Sequence, residues 1–122
     1  MKKVIFDSGF LMAVAERPTT WFEDIVDEVG RFQPFLLSCV GDELERLSAA
    51  QGRKSRLARV ALEIASNFSR ADCGEAEVDD EIESYALSAG ALVATTDGGL
   101  ARSLRASHVK VVSLRRGRVS FS

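Results

Sequence analysis

KKVIFDSGF, residues 2–10, carries three consecutive apolar side chains, Val4, Ile5 and Phe6, directly into Asp7, Ser8 and Gly9. A short β-branched and aromatic run without polar alternation predicts a strand buried on both faces, the usual condition of a central strand in a parallel sheet. A carboxylate at the end of such a strand stands at the carboxyl edge of the sheet, where open α/β folds bind their ligands. Asp7 is therefore the first candidate functional residue.

Outward from that strand, the pattern alternates. Phe10 to Ala15 reads as a short apolar helix that stops before Pro18, and Thr20 with Glu23 has the spacing of a capping box. Trp21, Phe22, Ile25, Val26 and Val29 mark one apolar helical face closed by Gly30. Phe35 to Val40, behind Pro34, predicts a second strand, and Gly41 to Ala50 a helix directly after it. From Arg53, the residues Leu57, Val60, Ala61, Ile64, Ala65 and Phe68 keep helical spacing. Residues 70–76 read as a loop with a short edge strand. Asp79 and Asp80 open a further helix that Gly90 closes in a left-handed cap. Ala91 to Thr95 is the fourth strand, and Asp97 caps a helix containing Leu100 and Leu104. Val109 to Leu114 is the fifth strand, with a final one over Arg118 to Ser122. Strands alternating with helices predict an α/β sheet flanked on both faces, with the first strand near its middle.

The chain has 122 residues, 46% apolar and 28% charged, which fits a single domain with its own core. No apolar run approaches the roughly 20 residues that span a bilayer, and no signal-peptide core opens the chain, so a cytoplasmic protein without membrane association is expected. Cys39 and Cys73 lack metal-binding spacing and read as buried or incidental thiols in a reducing compartment. With His108 the only histidine, a Cys-based zinc site and a His-dependent catalytic pair are both disfavoured. The net charge of −2 conceals a gradient. Beyond Asp97 there is no acid, while Arg102, Arg105, Lys110, Arg115, Arg116 and Arg118 are basic, and Arg53, Lys54, Arg56 and Arg59 form a second group. Such separation suits a polyanionic partner bound through Arg53, Lys54, Arg56, Arg102 and Arg105. A solvated helix face plus a basic tail explains the same charges.

Four acids occupy comparable places. Asp7 ends the first strand, Asp97 follows the fourth, Glu43 falls in the first turn after the second, and Asp79 opens the helix before the fourth. Neighbouring first and fourth strands would bring all four to one sheet edge. Crowded carboxylates repel and raise one another's pKa. A hard divalent cation such as Mg²⁺ or Mn²⁺, which prefers oxygen ligands, removes that penalty and can support phosphoryl displacement. Each acid also has a simpler explanation as a helix cap or dipole partner, and Asp80, Glu81 and Glu83 as solvated surface.

In these motifs the sequence resembles the PIN-domain ribonucleases. The matching pieces are Val4-Ile5-Phe6-Asp7-Ser8, Asp42-Glu43-Leu44-Glu45-Arg46-Leu47, Val78-Asp79-Asp80-Glu81-Ile82 with Ala86, and Val93-Ala94-Thr95-Thr96-Asp97 with Leu100 and Arg102. The resemblance implies a three-layer αβα sandwich over residues 1–122, with a mainly parallel sheet of 4–5 strands. It implies an endoribonuclease cutting single-stranded RNA with Mg²⁺ or Mn²⁺ held by Asp7, Glu43, Asp79 and Asp97. Ser8, Thr95 and Thr96 would orient the acids, and Asp80 would lie just behind them. Gly9 departs from the Asn or Ser often found at that place, which puts a supporting hydrogen bond in doubt. Small stand-alone archaeal members akin to ribosomal-RNA-processing PIN proteins look most similar, and VapC-type toxins share the acidic set, so an antitoxin protein is a candidate partner.

Other classes fit less well. A catalytically silent RNA-binding or assembly subunit would keep the same fold. A phosphoaspartate receiver needs an early acidic pair and a lysine after a late strand, whereas Lys110 falls within the fifth. GxxxxGK and GxGxxG are absent. Trp21, Phe22 and Phe32 supply apolar area beyond what a thin sheet needs, which predicts a homodimer.

Overall fold

Strand β1 (Lys2–Phe6) buries Val4, Ile5 and Phe6 completely, and the remaining elements assemble around it. The computed structural model describes residues 1–122. After β1 come helices α1 (Ser8–Glu16) and α2 (Trp21–Val29), then strand β2 (Phe32–Leu37). Helices α3 (Ser38–Ser48) and α4 (Arg53–Ile64) follow, the latter extended by a 3₁₀ turn at Ala65–Asn67. The chain continues through β3 (Ser69–Ala71), α5 (Val78–Ala89), β4 (Leu92–Ala94), α6 (Gly98–Ala106), β5 (Val111–Arg115) and β6 (Arg118–Phe121).

The six strands form one sheet in the order β3-β2-β1-β4-β5-β6, parallel except for the antiparallel β6. The first two crossovers run leftward from β1 and the later ones rightward. With right-handed connections, α1 to α4 cover one face, and α5 and α6 the other. The direction changes between β1 and β4, which pair in register from Val4 with Leu92 to Phe6 with Ala94. That is the switch point where such sheets open a crevice at their carboxyl edge.

One core of 28 buried residues extends from Val4 to Val112, which places sheet and helices in a single hydrophobic unit. Phe6 is ringed by Phe10, Trp21, Phe32 and Phe68, with centroids 5.1 to 6.4 Å away. These contacts hold the strand just before Asp7. They also consume most of the aromatic surface that suggested a dimer: Phe32 is buried, Trp21 packs edge-on against Phe6 and Phe10, and Phe22 remains exposed. No helix is long and apolar enough to cross a membrane.

Several elements differ from the sequence reading. The sheet has six strands where the resemblance implied 4–5; the final strand read over Arg118 to Ser122 joins it, because Arg116 and Gly117 both adopt positive φ and close a tight hairpin between β5 and β6. Strand β2 begins before Pro34, not behind it. Pairing with β3 starts only at Phe35, so Pro34 lies where β2 has a free side and its missing N–H costs no ladder bond there. Helix α3 starts at Ser38 with no loop, and Gly41 is inside it. A side chain at position 41 would begin 3.0 Å from the Arg70 guanidinium, so this glycine serves packing rather than a helix start. Glu43 consequently sits in the second turn. The capping box at Thr20 and Glu23 does not form. Thr19 Oγ1 accepts the Trp21 N–H at 3.1 Å instead, and Thr20 Oγ1 donates to Asp24.

Cys39 and Cys73 are not free thiols but a disulfide, with Cα atoms 5.8 Å apart. Topology explains the pairing. Leu37 of β2 and Ala71 of β3 are register partners, and each cysteine lies two residues further along its chain. Adjacent parallel strands about 4.8 Å apart therefore deliver two residues 34 positions distant to bonding range. Reduction with dithiothreitol should lower stability by about 3–4 kcal/mol, the loop-closure entropy of such a separation. Thermal melting with and without reductant reads the loss, and two titratable thiols in the denatured, unreduced protein would contradict the bond.

Candidate active site

Asp7 leaves β1 as the N-cap of α1, with its side-chain Oδ1 accepting the Ser8 N–H at 2.8 Å. Its Oδ2 accepts the Thr95 hydroxyl at 2.9 Å, and its own N–H donates to the Ala94 carbonyl. Thr95 is buried at the end of β4 and turns the other way as well, its hydroxyl oxygen accepting the Asp97 N–H at 3.0 Å. Asp97 is the N-cap of α6, with Oδ1 accepting from Gly99 N at 2.8 Å and Leu100 N at 3.1 Å. One hydroxyl thus couples the Asp7 carboxylate to the backbone amide of Asp97. Both acids are caps, as the simpler reading held, and both face the same crevice.

Glu43 reaches that crevice from α3, where its Oε1 accepts the Ser8 hydroxyl at 2.5 Å. Asp79 enters in the first turn of α5. Asp7, Glu43, Asp79 and Asp97 together line one cavity of about 300 Å³, completed by Ser8, Gly9, Val78 and Thr96. The four acids predicted from sequence are therefore brought to one place, with Ser8, Thr95 and Thr96 beside them.

Electrostatics follow from the crowding. Burial pushes the Asp7 carboxyl above its ordinary value of 3.8, the Thr95 hydroxyl and Ser8 amide pull it partly back, and Asp79 and Glu43 push it up again. Asp79 is raised as well, by desolvation first and then by Asp97, Asp80, Glu43 and Glu77. Glu77 went unnoticed in the sequence because it precedes the helix. Its signal is its place immediately before Val78-Asp79.

The remaining predicted residues divide. Asp80 is exposed beside Asp79 and does not line the cavity. Glu81 and Glu83 are not merely solvated: Glu81 accepts the Gly74 and Ala76 N–H groups, and Glu83 accepts the Ser103 and Ser107 hydroxyls. The first clamps the loop that leads into Asp79, and the second ties α5 to α6. Gly9 also has a structural explanation. A side chain there would begin 2.7 Å from the Thr96 hydroxyl, so a polar group from another loop already stands where an Asn or Ser would reach. Among the basic residues, the Arg102 guanidinium lies close over Gly98, the residue after Asp97, without lining the cavity itself. Arg53 and Lys54 line an adjoining groove, while Arg56 is exposed on α4. Arg105 is about 12 Å further along α6 than Asp97 and bonds to Ser122, so it does not reach the cavity.

The donors suit a hard cation, being carboxylate and hydroxyl oxygens only. As the side chains stand, no three acidic, His or Cys groups converge closely enough to enclose an ion directly. Mg²⁺ typically keeps several waters and takes one or two carboxylates directly, so a hydrated ion fits this wider spacing.

Parallel strands, a switch point between β1 and β4, and four carboxylates at that point define an α/β protein with an acidic crevice at the carboxyl edge of its sheet. Residues 4–118 match the model of the PIN like domain, and the chain belongs to that family. The PIN domain endonuclease Utp24 superposes with a TM-score of 0.81 at 26% identity, over 98% of this chain and 90% of that one. A domain of a functionally unknown protein from Methanocaldococcus jannaschii has a TM-score of 0.64 at 20% identity, covering 97% and 94%. PAE2754 from Pyrobaculum aerophilum has a TM-score of 0.53 at 14% identity, covering 83% and 78%, and like the second shows the shared fold alone. No curated protein matches.

The raised carboxyls predict a pH signature in metal-free protein. Their native values lie above the unfolded ones, so the native state binds more protons and stability falls as pH rises through that window. Asp7→Asn should flatten the fall and melt above the wild type at pH 7, by roughly 3–5 °C per kcal/mol recovered. Melting curves in EDTA from pH 3.5 to 8 measure this, and an unchanged slope in the variant would contradict the assignment.

Proposed function

We propose that the protein is a Mg²⁺- or Mn²⁺-dependent endoribonuclease that hydrolyses phosphodiester bonds in single-stranded RNA. The observation that carries this reading is the convergence of Asp7, Glu43, Asp79 and Asp97 on one cavity at the sheet's switch point. Membership of the PIN like domain family and the likeness to the endonuclease Utp24 support a nuclease.

Asp7, Glu43, Asp79 and Asp97 would hold the metal, which when bound supplies charge neutralisation and activation of water. The chain's own work is orientation. Thr95 fixes the Asp7 carboxylate, Ser8 fixes Glu43, and the α6 amides fix Asp97. Asp79, in the exposed first turn of α5, would take a proton from attacking water as the new P–O bond forms; the old P–O bond breaks and the leaving ribose oxygen takes a proton from solvent. Arg102, over Gly98 at the start of α6, would supply positive charge to the RNA backbone.

Cleavage of an end-labelled single-stranded RNA with Mn²⁺ tests the proposal. Asp7→Asn and Asp97→Asn should each slow cleavage by about 100-fold or more, equivalent to roughly 2.7 kcal/mol of barrier. Metal-dependent cleavage that survives both substitutions would reject the site. RNA retained in a gel without product at any metal concentration would favour a catalytically silent RNA-binding or assembly subunit.

A further inference from the structure

Alongside the acidic cavity, helices α1 and α4 pack together and leave a second depression of about 490 Å³ between them. Gly9, Met12, Ala13 and Glu16 line it from α1, and Arg53, Lys54 and Leu57 from α4. Gly9 also lines the acidic cavity, so the two depressions lie on either side of this residue. The groove has an amphipathic make-up that the acidic cavity lacks. Met12, Ala13 and Leu57 are part-buried and form an apolar floor, while the charged heads stand exposed at the rim. Its volume lies within the roughly 300–1,000 Å³ of ligand clefts.

The rim charges are arranged to be recruited. Arg53 pairs with Glu16 across the groove, and both side chains are largely exposed, at 69% and 49%. Such a pair contributes little to stability and opens readily. Lys54 has no ion-pair partner. A polyanion approaching four carboxylates needs cationic anchors beside them, and the nearest on this flank are Arg53 and Lys54. We propose that this groove is a nucleotide subsite of the nuclease, seating one unpaired residue of the RNA next to the scissile phosphate. The base lies on Met12 and Leu57, and the phosphate exchanges Glu16 for itself on Arg53 while Lys54 holds its other side. A base lodged between two helices cannot remain in a duplex, so the subsite imposes single-strandedness.

This proposal rests on the nuclease reading, and the test separates the two. A set of single-stranded RNA oligonucleotides, each with one abasic position, is assayed for Mn²⁺-dependent cleavage by the wild type. The same set is assayed for binding to Asp7→Asn protein by fluorescence anisotropy in Mg²⁺. One position beside the cut should weaken binding about 5- to 10-fold when abasic, in the range of single-base stacking contributions. Leu57→Ser should abolish that sensitivity, Lys54→Gln should weaken all oligonucleotides alike, and Glu16→Gln, which frees Arg53, should tighten them. The last two substitutions are on exposed side chains and keep the test valid if Leu57→Ser does not fold, which circular dichroism reports. Robust Asp7-dependent cleavage with no abasic-sensitive position, with sensitivity unchanged in folded Leu57→Ser, or with affinity unaltered by both Lys54→Gln and Glu16→Gln, overturns the subsite alone. Absence of both cleavage and binding overturns the nuclease reading and the subsite with it.

Discussion

A carboxylate is held at the end of a strand whose last three side chains are wholly buried, and the rest of the architecture is an answer to that placement. Asp7 is 8% exposed, and its desolvation outweighs the hydrogen bonds that favour its charged form. Left alone, such a group is a source of instability. Both of its oxygens are nevertheless bonded, to the Ser8 amide and the Thr95 hydroxyl, so its position is fixed even though its charge is not compensated. A carboxyl group held in a crevice with its pKa displaced in this way is a mark of a functional site.

The other acids come from distant parts of the chain and need separate devices to stay near it. Ser8 holds Glu43 directly. Thr95 sets Asp97 through its backbone amide. Asp79 is positioned from further away: Glu81 clamps residues 74 and 76, and the Cys39–Cys73 disulfide joins the start of α3 to the segment that leads into α5. The covalent bond therefore ties the helix that carries Glu43 to the loop ahead of the helix that carries Asp79.

Capping and the lining of the acidic cavity are carried by the same residues here. Asp7 and Asp97 accept helix N-terminal amides, which orients each carboxylate and leaves the remaining lone pairs free for the crevice. Capping a helix and facing a crevice are thus compatible roles for an acid when a helix starts at a sheet edge. Gly9 makes a similar point. Its missing side chain looks like a lost hydrogen-bonding group until Thr96 is seen standing in the same space.

The local pattern was sufficient for the alternation of strands and helices, for β1 as the central strand, and for the four acids as a set. Those depend on burial periodicity and on residue types at element ends, which are properties of short windows. Helix α3 was displaced by three residues because Gly41 looks like a helix breaker and becomes legible only with Arg70 packed against it. The disulfide depended on the β2–β3 register, the bonding of Glu81 and Glu83 on loop and helix neighbours, and the separation of Arg53 from Arg105 on which end of its helix each occupies. Contacts between residues far apart along the chain are decided by how sheets are ordered and crossovers are handed, and no window of sequence contains that information.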